Sequence, residues 1–294
     1  MFLVKGIKMN IKPIHEYLLW NNCSNHCDFC IQATQNRLKK EEQLDSIRLV
    51  KTEILSLVDS HVLIMGGEVF DVTDADIQNA LTDLFHTIHH KMVQNEIELL
   101  YLNTNLLYDI SYLKNILDIF KDIVYRIRFT TSDDFDGRFK GKSKTRFYKN
   151  LIDIRNTYPD LRIVSNTILT KPFCEAVLDG RYSLVRYMEM TGCLVNTIPY
   201  IKVVNDDLAP QKELVIKTLK RLDEEVTGYG VDYCQNFLLP QKKMLQQYQN
   251  QKLVDVSAEY GECGHCVNFK RCFSDTDECF ICMLKDMLDI HFFG

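Results

Sequence analysis

The stretch NCSNHCDFCI, residues 22–31, places Cys23, Cys27 and Cys30 in one short loop, spaced C-x3-C-x2-C. Four thiolates would close a tetrahedral zinc site or ligate all four irons of a cubane cluster, whereas three leave one coordination position without a protein ligand. An open position is how a bound metal takes up a second molecule and acts on it. A zinc site completed by His26, which lies inside the loop, is the alternative, but the spacing suits the corner of a cubane better.

The remaining cysteines sharpen this reading. The chain of 294 residues holds eleven cysteines, five of them clustered between Cys263 and Cys282, with Cys174, Cys193 and Cys234 scattered between the clusters. The opening MFLVKGIKMN lacks the apolar core and cleavage site of a secretory signal, so a cytoplasmic location is expected. There thiols stay reduced, and the two clusters read as metal ligands rather than disulfides. The three scattered cysteines read as small buried hydrophobes. Hydrophobic residues make up 46% and charged residues 26%, and no apolar run approaches a membrane span. A net charge of -5 gives no basic footprint for nucleic acid.

Outward from the cysteine loop, short β-rich runs occur at 17–20, 61–65, 97–102, 124–130, 162–169 and 194–201. Segments of helical period lie between them: Ile47, Val50, Ile54 and Val58; then Ile77, Leu81, Leu84, Phe85, Ile88 and Met92; then Tyr112, Ile116, Ile119 and Phe120. A further helix is expected over 211–226, with Val215, Leu219, Leu222 and Val226 on one face. Strands alternating with helices call for a parallel sheet with right-handed crossovers, either open and doubly wound or a partial barrel. The cysteine loop follows the first strand, and loops after parallel strands are where such folds build their sites.

CSNHCDFC resembles the C-x3-C-x-aromatic-C signature of the radical S-adenosylmethionine (radical SAM) enzymes, with Phe29 in the aromatic slot. After the second strand, MGGEVF places Gly66, Gly67 and Glu68 where the family has its GGE motif, which holds the methionine amino group. Glycines let a backbone approach a ligand closely, and a carboxylate accepts hydrogen bonds from an ammonium. After the third strand, LNTNLL resembles the family's Thr-Asn-Gly turn, with Thr104 and Asn105 present and Leu106 where glycine is common. Thr130 and Ser132, after the fourth strand, and Asn166, in the fifth, resemble polar residues that reach the ribose or face the cofactor. The resemblance spans about residues 10–205 and implies an α/β fold, a partial (β/α)6 TIM-like barrel over 1–228. It also implies that Cys23, Cys27 and Cys30 hold a [4Fe-4S] cluster, whose reduced form cleaves S-adenosylmethionine to a 5'-deoxyadenosyl radical. The electron would come from a low-potential donor such as flavodoxin or ferredoxin.

Residues 229–294 form a second, cysteine-rich part. Cys263 and Cys266, with Cys279 and Cys282, are two C-x2-C pairs of the kind that builds a zinc knuckle. Cys263, Cys266 and Cys272 match part of the SPASM or twitch extension, which carries auxiliary iron–sulfur clusters. The match is incomplete, because six residues stand between Cys272 and Cys279 where the family has three between its last cysteines. A second cluster is favoured over zinc.

The cysteine-rich extension points to a peptide or protein substrate, with a nucleotide or nucleoside as the alternative. A non-catalytic iron–sulfur carrier or sensor is the other function class. Against it stand Gly66, Gly67 and Glu68, since a cluster that only moves electrons needs no ammonium-binding motif. His86, His89 and His90 read as a solvated helix face, the run Arg138, Lys140, Lys142, Lys144 and Arg146 as a solvated loop, and Trp20 as core.

Overall fold

The computed structural model describes residues 12–30, 37–139, 142–199 and 206–227. Cys234, the cluster from Cys263 to Cys282, Lys140 and the expected boundary at 228/229 lie outside the described residues.

Six strands alternate with seven helices among the described residues: β1 Ile14–Leu18, α1 Lys40–Ser56, β2 Ser60–Met65, α2 Ala75–Val93, β3 Ile97–Asn103, α3 Ser111–Ile119, β4 Ile127–Ser132, α4 Lys144–Thr157, β5 Arg162–Leu169, α5 Lys171–Leu178, α6 Leu184–Thr191, β6 Leu194–Pro199 and α7 Lys212–Thr227. The strand order is β1-β2-β3-β4-β5-β6. Pairing is parallel from β1 to β4, with Leu18 opposite Met65, Leu63 opposite Tyr101 and Asn103 opposite Thr130. It is parallel again between β5 and β6, with Asn166 in backbone register with Asn196. This is the parallel α/β architecture that the alternation demands, the partial barrel implied by the cysteine loop.

The elements form for local reasons. β2 and β4 alternate buried with half-buried residues, the period-2 pattern of strands covered by helices on one face. α2 starts at Asp74, whose carboxylate accepts from the N–H groups of Asp76 and Ile77, and its buried stripe Ile77, Leu81, Leu84, Phe85, Ile88 and Met92 is the one read from the sequence. Thr170 and Ser183 cap α5 and α6 in the same way. In α7 Val215 and Leu222 are buried.

Three expectations shift. β1 runs over 14–18 rather than 17–20, so Leu19 and Trp20 are buried as core beyond the strand's end. β4 begins at Ile127, because Val124–Arg126 winds into a 3-10 turn and the Arg126 guanidinium satisfies the carbonyls of Met92, Ile97 and Glu98. α1 stops at Ser56, so Val58 lies past its end and is 66% exposed. The solvated reading holds for His86 and His90, which are exposed, whereas His89 is half-buried, edge-on to the Phe120 ring and paired with Asp122.

By contact density the chain divides into two units. Described residues within Met1–Ser24, Asn36–Thr130 and Lys149–Arg162 belong to the first, and those within Asn25–Gln35, Thr131–Tyr148 and Ile163–Gly294 to the second. In the first unit the exits of β1 and β2 are stitched together. Leu19 N–H donates to Met65 O, Gly67 N–H to Trp20 O at 2.7 Å, and Glu68 N–H to Asn22 O at 2.8 Å. The Asn22 side chain in turn exchanges two hydrogen bonds with the Leu38 backbone, beyond the cysteine loop.

This stitching leaves no room at the glycines. A Cβ on Gly67 would collide with the carbonyl oxygen of Asn22 and lie 2.6 Å from that of Asn21, and one on Gly66 would lie 2.9 Å from Val69 Cγ2. The obstacle at Gly67 is backbone, which cannot rotate aside. Gly67→Ala is therefore expected to cost about 1–3 kcal/mol, the usual range for overpacking, in denaturant unfolding. An unchanged midpoint would show that the two loops separate without cost.

Candidate functional site

In the first unit three segments far apart in sequence meet at one residue. Glu68 is 2% exposed. Its Oε1 accepts from Phe70 N–H at 3.3 Å, and its Oε2 accepts from Thr104 Oγ1 at 3.0 Å and from Asn105 N–H at 2.7 Å. The Glu68 carbonyl accepts from Trp20 Nε1 at 3.3 Å, and Thr104 Oγ1 also bonds the hydroxyl of buried Tyr108. Both oxygens that the GGE resemblance assigns to an ammonium are thus already engaged by the loops after β2 and β3. Burial pushes the Glu68 carboxyl up to about 7, against the opposing pull of its three hydrogen bonds.

The turn that presents Asn105 keeps the shape that glycine would give it. Leu106 adopts φ 58°, in the left-handed region, and its side chain is fully buried. Asn150 Nδ2 donates to the carbonyls of Leu106 and Tyr108, fixing the turn from α4. Burial of the leucine offsets the conformational penalty that glycine would avoid. The Asn105 side chain accepts from Leu107 N–H, and its Nδ2 lies 3.6 Å from Cys23 Sγ. Arg37 donates to Cys23 O at 2.9 Å. Thr130 is half-buried, and its carbonyl accepts from Thr104 N–H.

In the second unit the rest of the cysteine loop is gathered by Arg138. The sequence places this residue in a solvated basic run, but it is 7% exposed and its Nε pairs with Asp133 Oδ1 at 2.9 Å. Its Nη2 donates to Asn166 O at 2.6 Å, and its guanidinium carbon stands 4.9 Å from the centroid of the Phe29 ring. The Arg138 carbonyl accepts from Asn25 Nδ2 at 2.8 Å, and Asn25 Nδ2 also approaches Cys27 Sγ at 3.2 Å. Ser132 contributes its carbonyl to Tyr187 Oη at 3.0 Å. A cavity of about 230 Å3 opens here, lined by Asp28, Phe29, Asp133, Phe135, Arg138 and Ile168 among others. Lys144 of the basic run pairs with Asp136, also at this cavity.

Cys23, Cys27 and Cys30 take part in no disulfide, and each is half-buried. Among the described residues no three His, Cys, Asp or Glu side chains are grouped as ligands of a single metal ion. The residues fit a cluster by their chemistry: partly accessible thiols, with amide donors near two of the sulfurs. Sequence reading missed Asn22, Asn25, Asp133 and Arg138. The nearest signal was the DDFDGR stretch, where an arginine beside several aspartates foreshadows an ion pair.

No protein-family profile and no curated protein matches the chain. Among solved structures it is similar to anSMEcpe with bound AdoMet and the Kp18Cys peptide, at 14% identity over 81% of this chain and 66% of that one, with a TM-score of 0.55. It is similar also to Streptococcus suis SuiB bound to S-adenosylmethionine, at 19% identity over 74% of this chain and 48% of that one, with a TM-score of 0.49. SuiB bound to its precursor peptide SuiA gives 17% identity over 77% and 48%, with a TM-score of 0.48. The chain thus spans about half the length of SuiB and about two thirds of anSMEcpe. At such identities the likeness concerns the fold, and the anSMEcpe comparison carries it. The fold of this chain is similar to that of anSMEcpe.

Proposed function

We propose that this chain is a radical SAM enzyme acting on a peptide or protein. The observation that carries the reading is the knot in the first unit, where the exit of β1 at Asn22, the Gly66-Gly67-Glu68 turn and the Thr104-Asn105 turn are joined by hydrogen bonds and Asn105 reaches Cys23. The knot brings the turns that resemble the family's cofactor-binding motifs to the exit of β1, beside Cys23.

Cys23, Cys27 and Cys30 would hold a [4Fe-4S] cluster. The chemistry it supplies when bound is one-electron cleavage of S-adenosylmethionine, giving a 5'-deoxyadenosyl radical that takes a hydrogen atom from the substrate. The chain's own groups bind and orient. The resemblance gives Gly66, Gly67 and Glu68 to the methionine moiety; in this chain the two glycines let the loop after β2 close on the Trp20–Asn22 backbone, and Glu68 holds the Thr104-Asn105 turn in place. Phe29 and the cavity of the second unit offer an aromatic face and acidic edges for the nucleoside. Thr130, Ser132 and Asn166 are the candidates for the ribose. The peptide substrate is drawn from anSMEcpe, which was solved with one. A low-potential flavodoxin or ferredoxin would deliver the electron, and the cysteines from Cys263 to Cys282 would carry a second cluster or zinc.

Protein reconstituted anaerobically with iron and sulfide, then reduced, is expected to convert S-adenosylmethionine to 5'-deoxyadenosine without substrate. Cys23→Ala, Cys27→Ala and Cys30→Ala should each abolish the conversion. Cleavage retained in all three, or a fully loaded wild type that never cleaves, would contradict the proposal. Glu68→Gln should keep its iron but bind S-adenosylmethionine about 10- to 100-fold more weakly, the loss of one interaction with a charged group. Unchanged affinity by calorimetry would remove Glu68 from the cofactor seat.

A further inference from the structure

Asn25 lies between Cys23 and Cys27 in the chain, is 7% exposed and belongs to the second unit. Its Nδ2 is 2.8 Å from the carbonyl oxygen of Arg138 and 3.2 Å from Cys27 Sγ. Cys27 Sγ is itself 3.7 Å from the same carbonyl. That carbonyl cannot drift, because the Arg138 side chain is locked by Asp133 and by Asn166 O, and Asp28 N–H reaches back to Gly137 O at 3.5 Å.

These three atoms behave differently in the two states of the cysteine. As a thiol, Cys27 donates its proton to the Arg138 carbonyl. As an iron-bound thiolate it has no proton, and sulfur and carbonyl oxygen, both electron-rich, face each other. The Asn25 amide carries two hydrogens, one for each.

We propose that Asn25 is the positioning residue of the cysteine loop: its amide fixes the Cys27 sulfur against the Arg138 carbonyl and raises the reduction potential of the cluster. The inference rests on the radical SAM reading above. A hydrogen bond donated to a ligand sulfur stabilises the more negative, reduced form of a cluster, and such partners outside the ligand set tune a metal centre. In the first unit Asn105 Nδ2, 3.6 Å from Cys23 Sγ, is the same device at longer range.

The test is the midpoint potential of the reconstituted full chain, followed by EPR at controlled potentials. Asn25→Ala and Asn25→Leu, the second keeping the volume without the donor, should hold wild-type iron and shift the midpoint to more negative values. Asn105→Ala should shift it the same way by less. In wild-type protein grown with 15N-labelled asparagine, pulsed EPR of the reduced cluster should show a coupling to the labelled side-chain nitrogen, a readout that needs no variant to fold. Iron-loaded variants with an unchanged potential, or a wild-type cluster without that coupling, would overturn the role of Asn25 while leaving the enzyme reading intact. A wild type that takes up no iron would overturn both.

Discussion

The site depends on one buried carboxylate. Glu68 is almost wholly removed from water, and an ionised carboxylate there is tolerable only if its lone pairs are filled. Its partners are supplied by its own loop through Phe70 N–H and by the next loop through Thr104 and Asn105. Burial still outweighs these bonds, since the carboxyl is raised from 4.5 to about 7. The sign of the linkage follows. A folded-state value above the ordinary one means that the folded chain holds a proton the unfolded chain releases between those values. The associated stability is full below 4.5 and lost as pH rises to about 7, on the order of 3 kcal/mol in all. Glu68 at neutral pH is therefore an incompletely compensated charge that a bound cation or ammonium would relieve.

The second unit solves a similar problem with a pair. Arg138 and Asp133 bury opposite charges together, and such pairs fix geometry more than they add stability, while removal of one partner leaves a costly orphan. Here the geometry fixed is that of the Phe29 face and of the Arg138 carbonyl. The aromatic group of Phe135, Phe173 and Tyr182, with rings 5.3–5.4 Å apart, packs behind that stretch, and Asp134 accepts from both Tyr148 and Tyr182 hydroxyls. Residues 133–139, despite their charged sequence, are thereby packed and hydrogen-bonded on several sides.

How much of this was legible depended on whether the signal was periodic or pairwise. The stripe of α2 is periodic and was read correctly, because burial against a sheet imposes its period on the chain, and the β-rich run at 162–169 is β5. Ends were less legible. Val58 continues the apolar period of α1 but follows its last turn, and the Arg126 turn delays β4 without leaving any periodic trace. Cys23, Cys27, Cys30, Gly66, Gly67 and Glu68 stood out as residue types at telling spacings. Asn25 and Arg138 did not, since their meaning lies in a contact spanning 113 positions, which no local pattern encodes. Leu106 was the informative exception: it breaks the glycine pattern of its turn yet keeps the left-handed backbone, its burial taking the place of glycine's freedom.

The central claim is that the Glu68 carboxylate anchors the loops and faces the cofactor's amino group. Calorimetry of S-adenosylmethionine binding to the reconstituted protein, repeated in buffers of different ionisation enthalpy at pH 6, counts the protons exchanged. Most of the free protein then carries a proton on Glu68, and binding a positive group must expel it. Wild type is expected to release about one proton more per cofactor bound than Glu68→Gln. Equal proton release by the two proteins, with binding intact in both, would contradict the account.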